Sequence, residues 1–129
     1  MRERSYFVKT RTITGTPSEI LVEQLVASGV KYVFYNSGSR EALFFDALHS
    51  NPNIHGILAL HEGNVTSMAG GYTQVHNQPA VMVVHLGAGL AQAMGQFINV
   101  AYGGLPVVVI TFAGDTGSWV DRINLDFDH

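Results

Sequence analysis

Four strand-sized runs are apolar along their length rather than at every second position: "KYVFY" (31–35), "IHGILAL" (54–60), "AVMVVH" (80–85) and "PVVVIT" (106–111). A strand with one face in water alternates, whereas a strand covered on both faces does not. Helical patterns separate the runs at about 41–49, 63–74 and 90–102. This β-α-β-α-β-α-β rhythm predicts an α/β fold, a doubly wound parallel sheet with right-handed crossovers and helices on both faces. A further helix comes first, in "TPSEILVEQLVASGV": Thr16 caps it, Pro17 suits its first turn, Glu19 completes a capping box and Gly29 suits a left-handed stop.

The flanks are less regular. Residues 1–15 show no clear period and read as an N-terminal extension, with a short strand at 6–8, ahead of a domain over 16–129. "GDTGSWVDRINLDFDH" follows the last strand without a capped helix or another strand, so the sheet is expected to be incomplete at the C-terminus. On this reading the chain is a fragment or one subunit of something larger. Charged residues make up only 13% and hydrophobic ones 47%, which predicts that part of the surface is covered by a partner. A net charge of -3 gives no electrostatic reason to expect nucleic acid or an anionic membrane. The absence of cysteine excludes disulfide frameworks and thiolate metal sites. With a charged start and apolar runs too short to cross a bilayer, a cytoplasmic protein is expected.

In open α/β sheets ligands bind outside the carboxyl ends of the strands. The segments that follow the strands are "NSGSRE" (36–41), "HEGN" (61–64), "HLGAGLAQ" (85–92) and "FAGDTGSW" (112–119), so all four should gather on one edge. Gly38, Gly87 and Gly89 would let backbone approach a ligand there, although tight strand-to-helix turns also need glycine for structural reasons. Glu62 stands where a strand becomes a helix of small residues. It is either an acid that complements the helix dipole, or a carboxyl in an apolar pocket formed by "MAGG" that exchanges a proton with a ligand nitrogen. A zincin site is excluded because Val65 and Thr66 stand where the second histidine is needed. His61 and His85 are strand-end histidines, either proton-transfer groups or hydrogen-bonded structural ones, with no metal-ligand spacing around them. Asp115 in "GDTG" resembles a turn acid, and Ser39 lacks the G-x-S-x-G context of a hydrolase nucleophile. "HLGAGLAQ" fails as a dinucleotide loop because Gln92 takes the place of the third glycine.

As a set, these segments resemble the N-terminal, pyrimidine-binding domain of thiamine-diphosphate-dependent enzymes, and most of all benzoylformate decarboxylase and its acetolactate-synthase-like relatives. The resemblance covers about 16–114 and rests on three motifs in register. They are "GVKYVFYNSGSRE" for GV-x-x-VFG-x-PGS-x-E, "ILALHEGNVTSMAGGYTQ" for HE-x-x-A-x-x-x-A-x-GYA-x, and "HLGAGLAQAMGQFINVAYGGLPVVVIT" for the glycine-rich loop and helix. It implies that Glu62 hydrogen-bonds N1' of the aminopyrimidine, whose imino nitrogen then removes the C2 proton of the thiazolium. It also implies that Asn36, Ser37 and Gly38 face the pyrimidine side of the cofactor. By the same resemblance Ser39 meets the substrate carboxylate, His85 assists proton transfer, and Gln92 lies in the cofactor-binding helix where the family has asparagine. Ser37 replaces the family's proline, and Tyr35 replaces a glycine and would narrow the surroundings of the loop.

Mg²⁺ and the diphosphate belong in this family to a separate domain with a GDG...N motif, which "GDTG" does not reproduce. The resemblance therefore implies thiamine diphosphate and Mg²⁺ as cofactors and a 2-oxo acid as substrate. Non-oxidative decarboxylation is the expected reaction, inactive without the diphosphate domain of another subunit in a homodimer or homotetramer. An acetolactate-synthase-like carboligase domain is the alternative; a catalytically degenerate regulatory module is a further one, against which the retention of Glu62 argues.

Overall fold

The computed structural model describes residues 10–112, so the strand predicted at 6–8 and Asp115 lie outside the described residues. The elements are α1 (Pro17–Ala27), β1 (Tyr32–Tyr35), a 3-10 turn (Ser39–Glu41), α2 (Ala42–Ser50), β2 (His55–Leu58), α3 (Glu62–His76), β3 (Ala80–Val83), α4 (Ala88–Tyr102) and β4 (Val107–Ile110). The expected order holds, with each strand shorter than its apolar run, although single cross-strand bonds such as Ala59 N–H to the Tyr35 carbonyl and Val84 N–H to the Ile110 carbonyl continue past the strand ends.

α1 begins and ends as its sequence predicts. The Thr16 hydroxyl accepts the Glu19 backbone N–H at 3.3 Å, and the Glu19 carboxylate accepts the Thr16 backbone N–H at 2.7 Å. At the other end Gly29 adopts φ +84°, and Val30 and Gly29 donate to the carbonyls of Leu25 and Val26, a Schellman closure. The Thr16 backbone N–H, and then its hydroxyl, hold the Glu19 carboxyl below its ordinary value. A depressed carboxyl stabilises the fold above its unfolded pKa, and that contribution is lost as pH falls through the folded one. Glu19→Gln is therefore expected to lower the urea midpoint at neutral pH and to leave it unchanged in acid, where the native side chain is already neutral. Identical midpoints at neutral pH would remove the carboxylate from the account.

The four strands are parallel in the order β2-β1-β3-β4. The chain steps from β1 outward to β2, then returns across β1 to β3. With right-handed crossovers, that reversal puts α2 on one face and α3 and α4 on the other. Successive residues of β1 accordingly serve opposite cores. Val33 and Tyr35 join Val22, Phe44, Leu48 and Val83 under α1 and α2, while Phe34 joins Val65, Ala69, Met82 and Ala93 under α3 and α4. Burial on both faces holds for β3, whose four residues are all buried, and for most of β1. At the edges of the described sheet, β2 and β4 keep Leu58 and Val108 exposed.

Tyr35 departs from expectation. It does not crowd the loop that follows it; its ring lies in the core under α2, with its centroid 4.5 Å from that of Phe45 and its hydroxyl 3.3 Å from His49 Nε2. Gly56 on the neighbouring strand makes the room, since a Cβ there would stand 2.7 Å from the Tyr35 ring.

Candidate functional site

The reversal of strand order leaves a crevice between the carboxyl ends of β1 and β3, the usual ligand position in such sheets. After β1 the chain turns through Asn36, whose side-chain oxygen accepts the Ser37 backbone N–H at 2.8 Å. Gly38 follows in extended conformation and leads into the 3-10 turn that delivers Glu41 inward. The Glu41 side chain is fully buried, and both its oxygens lie 3.0 Å from Nδ1 of His85, the second residue beyond β3. The pair thus closes the crevice at its base. Gly38 is demanded by space rather than by φ, because a Cβ there would fall 2.2 Å from His85 Nδ1 and 2.6 Å from Glu41 Oε2.

Glu62 opens α3. The residue before it, His61, is exposed and uses Nδ1 to accept the Gly63 N–H at 3.0 Å, so this histidine caps the helix. The Thr66 hydroxyl donates to the Glu62 carbonyl at 3.0 Å. From this anchored backbone the half-buried carboxylate reaches the start of α4. A Cβ built on Gly89 would lie 3.2 Å from Glu62 Oε1 and 3.1 Å from His85 Cβ. The Glu62 carboxylate and the His85 Cβ therefore both close on one glycine, beside the positive ends of α3 and α4. The loop into α4 passes through Gly87 at φ +58°, a conformation that favours glycine.

The structure thus brings Gly38, Glu62 and His85 together, with Asn36 half-buried beside them in sequence. Ser37 and Ser39 are exposed on the loop after β1, and Gln92 is exposed on α4. The pocket expected from "MAGG" is not there. Those residues lie further along α3, where a Cβ on Gly70 would meet Leu105 at 3.3 Å and Val100 at 3.4 Å. At Gly70 the missing side chain lets α3 approach α4, and within this chain Glu62 stays half-open.

Sequence reasoning gave Glu41 no part. An acid ahead of an apolar helix has an ordinary explanation in the helix dipole, and its histidine partner is 44 residues away. Its one signal was position, at the end of a segment that follows a central strand.

The family model described as "Thiamine pyrophosphate enzyme, N-terminal TPP binding domain" matches residues 16–123. Benzoylformate decarboxylase of Pseudomonas aeruginosa is 36% identical over 99 residues, covering 77% of this chain and 18% of that protein. The mitochondrial acetolactate synthase catalytic subunit of Aspergillus candidus is 30% identical over 97 residues, covering 75% and 14%. Among solved structures, the thiamine diphosphate-dependent 4-hydroxybenzoylformate decarboxylase of Rhodococcus jostii RHA1 superposes with a TM-score of 0.78 at 33% identity, over 86% of this chain and 21% of that one. Benzoylformate decarboxylase from Polynucleobacter necessarius gives 0.74 at 28%, over 84% and 20%. The chain spans about a fifth or less of the length of each of these proteins.

Proposed function

The chain belongs to the thiamine pyrophosphate enzyme N-terminal TPP binding domain family, and from that premise we propose that it helps to decarboxylate a 2-oxo acid without oxidation. The observation that carries this is the approach of the Glu62 carboxylate and of His85 to Gly89 at the carboxyl edge of the sheet. The missing side chain at Gly89 is what admits the Glu62 carboxylate to the start of α4, and a half-open carboxylate beside glycine backbone fits the pyrimidine half of thiamine diphosphate. When bound, that cofactor would supply the carbon nucleophile and the sink for the electron pair that the departing carboxyl group leaves behind.

The chain's own residues hold and move protons around it. Glu62 shares a proton with the pyrimidine ring nitrogen, and His85 gives and takes one at the reacting oxygen of the substrate. Asn36, Ser37 and Gly38 form the loop against the ring, with Gln92 on the helix beyond, and the Ser39 hydroxyl meets the substrate carboxylate. The half-open state of Glu62 leaves its drying to a second surface. We assign that surface, with Mg²⁺ and the diphosphate, to another domain of a neighbouring subunit in a dimer or tetramer. Met94, Ile98 and Tyr102, an exposed apolar stripe at successive turns of α4, support a covered face. A cytoplasmic location accords with the lack of cysteine.

The test is an assay of the complete protein that carries this chain, with thiamine diphosphate, Mg²⁺ and a panel of 2-oxo acids. Release of CO₂ and the matching aldehyde is expected, and the 129-residue chain alone should be inactive. Formation of an acetohydroxy acid from pyruvate instead would replace decarboxylation by carboligation. No product despite bound cofactor would leave a binding module and overturn the assignment.

A further inference from the structure

We infer that Glu41 is a positioning residue that fixes which ring nitrogen His85 offers to the ligand, an inference that rests on the proton-transfer role proposed for His85. The Glu41 side chain has 0% exposure, and a carboxylate so buried is costly without a partner. Both of its oxygens face one atom, His85 Nδ1, at 3.0 Å. An ionised carboxylate only accepts hydrogen bonds, so Nδ1 must carry the hydrogen. In the neutral ring Nε2 then bears the lone pair and is the one nitrogen left for a ligand. The His85 side chain keeps 25% of its surface exposed, which leaves an open edge for that contact.

The ring is held from several sides. Glu41 enters at the N-terminus of α2, whose Phe44 and Leu48 are locked in the core. Gly38 lies against the same ring nitrogen, and Gly89 against the ring's Cβ. When Nε2 takes a proton from the reacting group, the Glu41 carboxylate stabilises the resulting imidazolium; when Nε2 returns it, both groups are restored. Glu41 itself neither gains nor loses a proton in the cycle.

The alternative is a buried pair that only supports the fold, and ring-nitrogen ¹⁵N NMR of the 129-residue chain separates the two. At a pH where His85 is neutral, the wild type is expected to show a protonated Nδ1 and an unprotonated Nε2. Glu41→Gln should keep that pattern, because its amide oxygen still accepts, while Glu41→Ala should lose it. Gly38→Ala, whose methyl falls on Nδ1, should also disturb it and serves as the second variant if Glu41→Ala does not fold. A wild-type ring protonated at Nε2, or an Nδ1–H form that persists in the folded Glu41→Ala or Gly38→Ala chain, would overturn the inference.

In the complete protein, Glu41→Ala is expected to reduce kcat by about 10²-fold, near the lower end for general acid–base catalysis, with KM little changed and with rescue by Glu41→Gln. His85→Ala tests the underlying reading separately. Unchanged turnover there would remove the role of His85 while leaving the tautomer result intact.

Discussion

Glu62→Gln in the complete protein is expected to lower turnover about 10²–10⁴-fold, the usual contribution of a positioned proton-transfer group, while the domain stays folded. The amide matches the carboxylate in shape and keeps its place at the start of α3, beside Gly89. What it cannot do is take up or release a proton at the pyrimidine nitrogen. The lost charge at the helix N-terminus costs about 0.3–1 kcal/mol, small against the stability of a typical domain. Activity and stability should therefore separate, with kcat collapsing at saturating thiamine diphosphate while the melting temperature moves by a few degrees at most. Near-wild-type turnover would reduce Glu62 to a helix-end acid.

Phe44→Ala is expected to cost about 3–5 kcal/mol, enough to remove a large share of the stability of a small domain. Phe44 is 1% exposed, and its ring centroid lies 5.7 Å from that of Phe45 and 5.5 Å from that of Phe112. Its neighbour Leu43 is 76% exposed, and Leu43→Ala should stay within about 0.5 kcal/mol of wild type. Urea midpoints of the two variants check this, and equal midpoints would mean that α2 does not pack as described. The damage from Phe44→Ala should also reach the site, because the same helix start carries Glu41.

What could be read from sequence was local in origin. Caps, helix periods and apolar strand runs are decided within a few residues, so α1 was legible to its Schellman end, as was the parallel rhythm. Glu62, His85 and Gly38 stood out because the carboxyl ends of strands gather on one edge whatever the strand order. The dry pocket imagined around Glu62 failed because small residues have two uses, and at Gly70 the use is contact between α3 and the segment around Leu105. Tyr35, read as the end of its strand, was wrongly expected to narrow the surroundings of the loop that follows. Two positions after Val33, it shares that residue's face of the sheet and belongs to the core beneath α2. Glu41 stayed hidden because only the tertiary fold sets it against His85.

Both loops that build the crevice spring from β1 and β3, the two strands with neighbours on either side among the described residues. In hydrogen-exchange terms they grow from amides that should be among the last to open, so Glu41 and His85 are set on the least yielding part of the described sheet, whereas Glu62 follows the edge strand β2. The exposed positions around them, Ser37, Ser39 and Gln92, carry no such burden. Substitution at those three positions is therefore expected to leave the fold that sets Glu41 against His85 intact.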